Sequence, residues 1–290
     1  MINILASDAW SSPYIIMLAF AAAITLLIAI RMQVRGTAGI EEHASHPKVC
    51  IGNGQTIGAR SEQDDYFASA ETPVGTMAVL ADGISGLDYG RISSMTAVST
   101  FMKRFMAMEP GDDIPTFLET TAKQANRDIM QELEGARGGT TLVTAIIDGD
   151  SLYWGAVGDS VLVIYRDGTF LPVNRKHTVE VLLANRVLAG EITKEKAMED
   201  PQRHQLINYL GYDRFENIDI GETPFQLRRG DKVLLMSDGV YNALTEIELE
   251  DILNDSAAPD EAAEQMIERI ENKRIRHQDN ATVIIMEPAV

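Results

Sequence analysis

Cysteine and positive charge are both scarce in this chain of 290 residues. A single cysteine, Cys50, excludes an internal disulfide and a zinc site built from cysteines. It lies in the apolar run Val49–Ile51, where a small buried residue is a more common role than a nucleophile. The chain has 25 Lys and Arg against 43 Asp and Glu, which gives a net charge of −18. Nucleic acid needs a basic surface, so that class of partner is excluded.

The acidic surplus has two interpretations. An acidic, solvated surface is the simpler one, and a site that collects divalent cations is the other. The five histidines lack the close helical spacing His-x-x-x-His. Hydrophobic residues make up 45% of the chain, enough for a sizeable core in one large domain or two small ones. Because the overall charge fits both interpretations, only individual aspartates can indicate a metal site.

One long apolar segment stands near the start of the chain. Residues 9–30 contain no charged side chain, and Tyr14–Ile30 is almost wholly apolar, about the length that spans a hydrocarbon core. Trp10 suits the membrane interface, and Pro13 suits a first helical turn. We therefore predict a single-pass transmembrane anchor at residues 1–35, followed by a polar juxtamembrane linker at residues 36–47.

The flanking charges predict the orientation of this segment. Arg31 and Arg35 follow it, whereas only Asp8 and the terminal amine precede it. The excess of basic residues on the cytoplasmic side of membrane proteins then places residues 48–290 in the cytosol, at the cell membrane. The alternatives are a cleaved signal peptide, which needs a basic start and a small-residue cleavage site, and a buried core helix, which is seldom apolar all round. The anchor is favoured over both.

Short apolar runs alternate with turn dipeptides through the rest of the chain. Asp148-Gly149 and Asp167-Gly168 mark two hairpins. The pattern predicts strands at residues 77–80, 142–147, 152–156, 161–165 and 233–236. It predicts helices at residues 92–108, 114–133 and 257–270. Long helices between blocks of antiparallel strands indicate an α+β domain in which helices cover the sheet faces.

The segment 177–211 differs from its surroundings, because it is polar, helical in pattern and without strand signals. A small helical insertion beside a site and an ordinary connecting pair of helices fit its composition equally well. Both interpretations stay open on composition alone.

Aspartates recur at the ends of the predicted strands. Asp82, Asp159 and Asp238 each follow an apolar run and adjoin a glycine, while the Asp64-Asp65 pair and Asp279 lie beside strand-like runs. A single Asp in such a place is usually a turn residue that bonds its own backbone. Several carboxylates at one edge would repel each other unless a cation neutralised them. The repetition therefore favours a metal site.

The chemistry of these ligands predicts which metal binds. Carboxylate and carbonyl oxygens without a Cys or His cluster select Mn²⁺ or Mg²⁺ rather than zinc. Two such ions a few ångströms apart can hold a bridging hydroxide as nucleophile and neutralise a phosphoryl group. Arg60, four residues before Asp64, could bind that phosphate through its guanidinium, although a lone arginine is more often a surface residue.

The order of these motifs resembles the metal-dependent serine/threonine protein phosphatases of type 2C, especially the bacterial ones. The likeness runs from about Val49 to Met286. Six elements in the family's order carry it: Arg60 with Asp64-Asp65, Asp82-Gly83, Gly138–Thr141, Gly158–Ser160, Ser237–Gly239 and Asp279-Asn280. The resemblance implies a phosphatase domain at residues 48–290 whose fold is a central antiparallel β-sandwich flanked by helical pairs, with four layers in the order αββα. It also identifies residues 177–211 as similar to the family's mobile flap.

The resemblance assigns the central roles as well. Asp82 would bridge two Mn²⁺ or Mg²⁺ ions, and Gly83 would offer its carbonyl to the first ion. Arg60 would bind the phosphate of the substrate, which would be a protein phosphorylated by a serine/threonine kinase.

The remaining aspartates complete the implied ligand set. Asp238 and Asp279 would bind the second ion with an acid of the Asp64-Asp65 pair, in which Asp65 is the more regular family position. Asp159, together with Asp238, would hold the third ion seen in bacterial members.

One departure from the family stands after Asp82-Gly83. The bacterial pattern usually continues Met-Gly-Gly-His, whereas residues 84–87 are Ile-Ser-Gly-Leu, so Leu87 replaces the histidine that protonates the leaving alkoxide. His177 occupies the position before the flap but is not assigned the acid role, which a metal-bound water could take.

Three functions compete. The leading hypothesis is a membrane-anchored phosphatase acting on phosphoserine and phosphothreonine of proteins. The alternatives are a pseudophosphatase that binds phosphoproteins or a kinase without turnover, favoured by Leu87 alone, and a membrane-bound sensor of divalent ions or stress.

Overall fold

The computed structural model describes residues 49–84 and 89–288, which belong to a unit that spans His46–Val290. The predicted anchor at residues 1–35, the linker at residues 36–47 and the substituted Leu87 lie outside the described residues. Within 49–84 and 89–288, no helix has both the length and the apolar character that a membrane crossing requires.

Two antiparallel sheets form the centre of the described residues. Their strands are β1 (Val49–Thr56), β2 (Asp65–Thr72), β3 (Gly75–Asp82), β4 (Leu142–Asp148), β5 (Ser151–Val157), β6 (Val161–Arg166), β7 (Thr169–Pro172), β8 (Asp219–Ile220), β9 (Phe225–Gln226), β10 (Lys232–Met236) and β11 (Ala281–Pro288). One sheet has the order β1-β11-β10-β6-β7, and the other has the order β2-β3-β4-β5-β8, with β9 also pairing with β5. The pairings are antiparallel.

Helices cover the outer face of each sheet. The described helices are α1 (Gly90–Phe105), α2 (Ile114–Leu133), α3 (Val179–Leu188), α4 (Lys194–Met198), α5 (Asp238–Tyr241), α6 (Glu246–Asp255) and α7 (Pro259–Lys273). The covering helices are α1 and α2 on one sheet and α6 and α7 on the other. Asp113 begins α2 by accepting a hydrogen bond from the backbone N–H of Thr116, and Thr245 begins α6 with a capping box completed by Glu248.

Three apolar layers hold this sandwich together. Leu80 and Val143 of one sheet pack against Leu235 and Ile284 of the other to form the central layer. A second layer lies between the β3-containing sheet and helices α1 and α2, and a third lies between the β10-containing sheet and helices α6 and α7. The antiparallel α+β fold with helices on the sheet faces is therefore confirmed.

The predicted elements with continuous apolar runs are found with small shifts in their ends. The hairpins at Asp148-Gly149 and Asp167-Gly168 join β4 to β5 and β6 to β7. The five predicted strands correspond to β3, β4, β5, β6 and β10, and the run of β11 was identified only as strand-like. The pattern missed the short strands β7, β8 and β9, and it missed β1 and β2, which lie at sheet edges and alternate buried with exposed side chains. Edge strands bury less apolar surface, so their sequences lack the run that marked the central strands.

The expected burial of Cys50 is wrong. Side chains alternate across a strand, and its neighbours Val49 and Ile51 pack against the central layer. Cys50 therefore points the other way and is exposed.

The segment 177–211 begins and ends beside the sheets. The backbone N–H of His177 donates to the carbonyl of Gly158 at 2.8 Å, and Thr140 and Leu210 exchange two backbone hydrogen bonds of 3.0 and 2.9 Å. Between these anchor points the chain forms α3 and α4, which agrees with the helical pattern of the sequence. This arrangement keeps the segment next to the strand ends that carry the aspartates.

Candidate metal centre

The aspartates of the β3-containing sheet meet where two strands pair. Asp65 begins β2 and Asp82 ends β3, and the two residues face each other directly in the antiparallel register. The backbone N–H of Thr141 donates to the carbonyl of Asp82 at 2.8 Å, and the Thr140 hydroxyl donates to the same carbonyl at 2.8 Å. The end of β3 is thus fixed by the start of β4.

The other sheet brings its aspartates to the same end of the sandwich. Asp238 follows β10, while Asp159 and Asp279 come shortly before β6 and β11. Met236 at the end of β10 pairs with the first part of both neighbours, β6 and β11. Four carboxylates therefore line one pocket of about 370 Å³; we call Asp82, Asp159, Asp238 and Asp279 the aspartate rim.

Hydrogen bonds from the other sheet hold Asp65 in place. Its Oδ2 accepts from the hydroxyls of Ser237 at 2.8 Å and Thr282 at 2.7 Å. The Asp65 side chain is only 2% exposed, and its Oδ1 has no hydrogen-bond partner among the described residues. An unpaired buried carboxylate oxygen is costly, and a cation near Asp82 would satisfy it. The donor set therefore fits a divalent metal.

The electrostatics of the rim point the same way. Burial, and then the charges of Asp65, Asp238, Asp159 and Asp279, raise the pKa of Asp82 well above its ordinary value. Burial raises the pKa of Asp65 to about 6. So many carboxylates in one place favour either protons or cations.

The pKa values of Asp238 and Asp159, the other two perturbed acids of the rim, are raised as well. Burial followed by the charges of Asp159, Asp279 and Asp65 raises the pKa of Asp238 to about 7. Burial also raises the pKa of Asp159, although Lys176 acts in the opposite direction. The rim therefore carries more negative charge than its protein surroundings neutralise.

Arg60 and Asp64 stand at the outer side of the rim. Arg60 Nη2 donates to Asp279 Oδ2, and both side chains are partly exposed. Burial and Glu62 raise the pKa of Asp64, while Arg60 lowers it. The carbonyl of Asp64 accepts from the backbone N–H of Gly83 at 3.2 Å. The structure thus places Arg60, both acids of the pair and Gly83 next to the aspartate rim.

The acids of the rim are spread rather than gathered into one compact group. Within residues 49–84 and 89–288, no group of three or more Asp, Glu, His or Cys side chains is arranged to hold one metal ion. Mg²⁺ usually keeps several waters and takes one or two carboxylates. The spread of the rim fits that mode of binding.

The rest of the pocket lining mixes polar and apolar side chains. It consists of Ile84, Thr141 and, from the 177–211 segment, His204, Gln205, Leu206 and Tyr209. The Tyr209 ring stacks on Tyr212 with 5.0 Å between centroids. His177 Nδ1 accepts from the backbone N–H of Gly158 at 3.2 Å, which occupies that ring nitrogen with the backbone.

Several positioning residues escaped the sequence analysis. Ser237, Thr282 and Asn280 each hold an aspartate or its backbone: the N–H of Asp64 donates to Asn280 Oδ1 at 2.8 Å. Lys176 and Tyr241 lie next to Asp159. Ser237 and Asn280 belong to motifs seen in the sequence, but only the pairing of the two sheets shows what they contact.

Known proteins support the same interpretation of the chain. A sequence profile of Protein phosphatase 2C matches residues 55–278. The chain belongs to the protein phosphatase 2C family. The serine/threonine phosphatase stp of Listeria welshimeri is 31% identical over 218 residues, which cover 73% of this chain and 84% of that protein. The prediction that this chain is a metal-dependent protein phosphatase is thereby confirmed.

Solved structures of phosphatases share the fold. The S. agalactiae serine/threonine phosphatase has a TM-score of 0.73 and 26% identity, over 83% of this chain and all of that chain. The catalytic domain of serine/threonine protein phosphatase PstP, solved with two manganese ions, has a TM-score of 0.66 and 24% identity, over 82% of this chain and 97% of that chain. Members of the protein phosphatase 2C family use Mn²⁺ or Mg²⁺, as the ligand chemistry predicted.

Proposed function

We propose that this protein hydrolyses phosphoserine and phosphothreonine in other proteins at the aspartate rim. The observation that carries the proposal is the convergence of Asp82, Asp159, Asp238 and Asp279 on one open pocket, with too little positive charge around them. Such a pocket attracts divalent cations, and cations are what a dianionic phosphate needs there.

Two positions are proposed to form the centre of the site. Asp82 would bridge two ions, because it pairs with Asp65 in its own sheet and is also acted on by the charge of Asp238, which follows a strand of the other sheet. Gly83 would offer its carbonyl next to it. A side chain at Gly83 would place Cβ 2.5 Å from the carbonyl carbon of Gly90, so only glycine fits there.

The other acids are proposed to complete the ligand set. Asp238 and Asp279 would hold the second ion, with Asp65 supplying its unpaired Oδ1 and Asp64 standing next to it. Asp159 with Asp238 would hold an additional ion. Divalent ions bound there would supply a nucleophilic water at neutral pH and neutralise the phosphoryl oxygens.

Arg60 is proposed to bind the phosphate of the substrate. Its guanidinium already reaches the rim, where it donates to Asp279, and it is exposed enough to be reached from solvent. Any phosphate that arrives beside Asp279 meets a planar donor suited to two parallel hydrogen bonds. Arg60 therefore orients the phosphate rather than activating the nucleophile.

Phosphopeptide turnover tests this function against binding without turnover, the alternative that Leu87 favours. Full-length protein is mixed with a phosphothreonine peptide after chelation, and Mn²⁺ is then added. We expect phosphate release only with Mn²⁺ or Mg²⁺, and loss of release in Asp238→Asn. Tight peptide binding with no release at saturating Mn²⁺ would instead establish the pseudophosphatase.

We further propose that residues 14–30 anchor the protein in the cell membrane, with the phosphatase domain in the cytosol near serine/threonine kinases. The apolar length of the segment and Arg31 and Arg35 after it support this proposal. A reporter that works only in the cytosol, fused after Val290, should be active, and the full-length chain should stay in the membrane pellet after a carbonate wash. A shortened soluble chain would overturn the anchor.

A further inference from the structure

Lys176 is a positively charged residue whose charge acts on two acids of the aspartate rim. Its ammonium nitrogen lies 3.5 Å from the centroid of the Tyr241 ring, a short cation–π distance. The Tyr241 hydroxyl in turn donates to the carbonyl of Asp159 at 3.2 Å. Tyr241 thus contacts both Lys176 and Asp159, a member of the aspartate rim.

The charges that act on Lys176 are Asp159, then Glu180 and Asp238. Asp159 and Asp238 belong to the rim, whereas Glu180 lies in the first turn of α3. No carboxylate of the described residues forms a salt bridge with Lys176, so its charge acts through space on both aspartates rather than pairing with one.

Lys176 lines a mostly apolar pocket of about 280 Å³, together with Tyr241, Val163, Met236 and Leu249. It is not among the residues that line the pocket of the rim. Because Lys176 is only partly exposed, solvent screens its charge less than it would screen a fully exposed lysine.

We propose that Lys176 is a built-in counter-charge that weakens the binding of a divalent cation between Asp159 and Asp238. The proposal rests on the function proposed above and adds to it a residue that sets metal affinity. A cation placed at these two carboxylates would be repelled by the nearby ammonium, and the repulsion is larger for a doubly charged ion than for a proton. The carboxylates whose charges act on Lys176 do not include Asp82 and Asp279, so cation binding at those two would be affected less.

Counting bound Mn²⁺ tests the proposal. Full-length wild-type protein, Lys176→Met and Lys176→Arg are titrated with Mn²⁺, and free Mn²⁺ is read from its electron paramagnetic resonance signal. Met keeps the length and apolar stem of Lys in the cavity but removes the charge, whereas Arg keeps the charge. We expect Lys176→Met to bind one more Mn²⁺, or its weakest one at least about tenfold more tightly, and Lys176→Arg to follow the wild type.

A double variant locates the gain. Asp159→Asn added to Lys176→Met should remove the extra binding, because the site then loses one of its two carboxylates. Identical isotherms for wild type and Lys176→Met would overturn the proposal, and so would a gain that survives Asp159→Asn. If circular dichroism shows that Lys176→Met is unfolded, Lys176→Gln takes its place with the same expectations.

Phosphopeptide turnover in the same samples separates this proposal from the function on which it rests. Mn²⁺-dependent turnover with unchanged Mn²⁺ binding in the Lys176 variants overturns the role of Lys176 alone. Absence of both turnover and Mn²⁺ binding in every sample overturns the proposed function as well.

Discussion

At the scale of one residue, the two carboxylate oxygens of Asp65 show why the proposed metal site favours a cation. Hydroxyl groups of Ser237 and Thr282 satisfy one carboxylate oxygen, and the other is buried without a described partner. Asp82 faces it across the strand pair, and burial raises the pKa of the Asp82 carboxyl as well. The two residues store negative charge in a place where protein donors alone do not balance it.

Replacing Asp82 should harm activity far more than replacing Arg60. Asp82→Asn removes the proposed bridging ligand, and with it several kcal/mol of charge stabilisation, so turnover should fall at least about 10³-fold. Arg60→Ala removes one charge-assisted contact to phosphate, worth about 1.5–3 kcal/mol, and should act mainly on KM. Steady-state kinetics with Mn²⁺ measure both. Equal and slight defects would remove Asp82 from the centre of the site.

The raised pKa of Asp238, about 7, predicts how metal-free protein responds to pH. A carboxyl whose pKa is raised by folding stabilises the fold below its unfolded pKa, and this contribution is lost as pH rises through the folded pKa. The free energy of unfolding of chelated protein should therefore fall between about pH 4 and pH 7. Thermal unfolding in chelator over that range measures it.

Asp238→Asn is the matched variant for this effect. It keeps the shape of the side chain but cannot ionise, so chelated Asp238→Asn should be more stable than wild type at pH 8, by roughly 1–3 kcal/mol, and less sensitive to pH. The same change should abolish turnover. A chelated variant that is less stable than wild type at pH 8 would contradict the proposed charge repulsion.

At the scale of secondary-structure elements, the site depends on the close contact of α5 with the loop before β11. A Cβ on Gly239 would lie 1.9 Å from the carbonyl oxygen of Asn280, so only glycine allows Asp238 and Asp279 to approach each other here. Gln278 strengthens the contact, because its amide donates to the Gly239 carbonyl at 2.8 Å. The spacing of Asp238 and Asp279, two proposed metal ligands, therefore depends on backbone packing.

Gly239→Ala should lower both stability and activity. The clash should cost about 1–3 kcal/mol and shift the two aspartates apart, with turnover of the folded protein reduced at least about tenfold. Gly52→Ala is the control, because its Cβ would lie 2.0 Å from the carbonyl carbon of Pro259, far along β1 from the rim. It should lower the melting temperature but keep Mn²⁺-dependent turnover. Equal turnover in the two variants would show that this contact does not position the site.

The secondary-structure elements also show which parts of the fold the sequence could predict and which it could not. Central strands such as β4 and the amphipathic helix α2 carry strong periodic signals, and both are found where they were predicted. β1 and β2 were missed because they are half-exposed edge strands. The aspartates were found through their repeated position after strands, which is local in sequence.

The contacts that prepare the aspartates are not local. Thr282 and Ser237 reach Asp65 from 217 and 172 residues away. Lys176 approaches Asp159 through Tyr241, which follows a different strand. Such partners depend on how the two sheets face each other, and no period or spacing in a single sequence contains that information.

At the scale of the whole phosphatase domain, the rim lies where the two sheets of the sandwich present strand ends together. Asp82 comes from one sheet, and Asp159, Asp238 and Asp279 adjoin strands of the other. Cations bound between them would link the two sheets and offset the repulsion that both contribute. Metal binding, stability and turnover should therefore change together.

Bound Mn²⁺ and released phosphate, measured in the same samples, test the central claim most directly. Chelated wild-type protein and Asp82→Asn are titrated with Mn²⁺ in the presence of a phosphothreonine peptide. Turnover by the wild type should rise with Mn²⁺ occupancy from a negligible value, and Asp82→Asn should lose both tight Mn²⁺ binding and turnover. Full turnover by thoroughly chelated protein, or turnover by Asp82→Asn equal to that of the wild type, would contradict a phosphatase whose aspartate rim works through divalent cations.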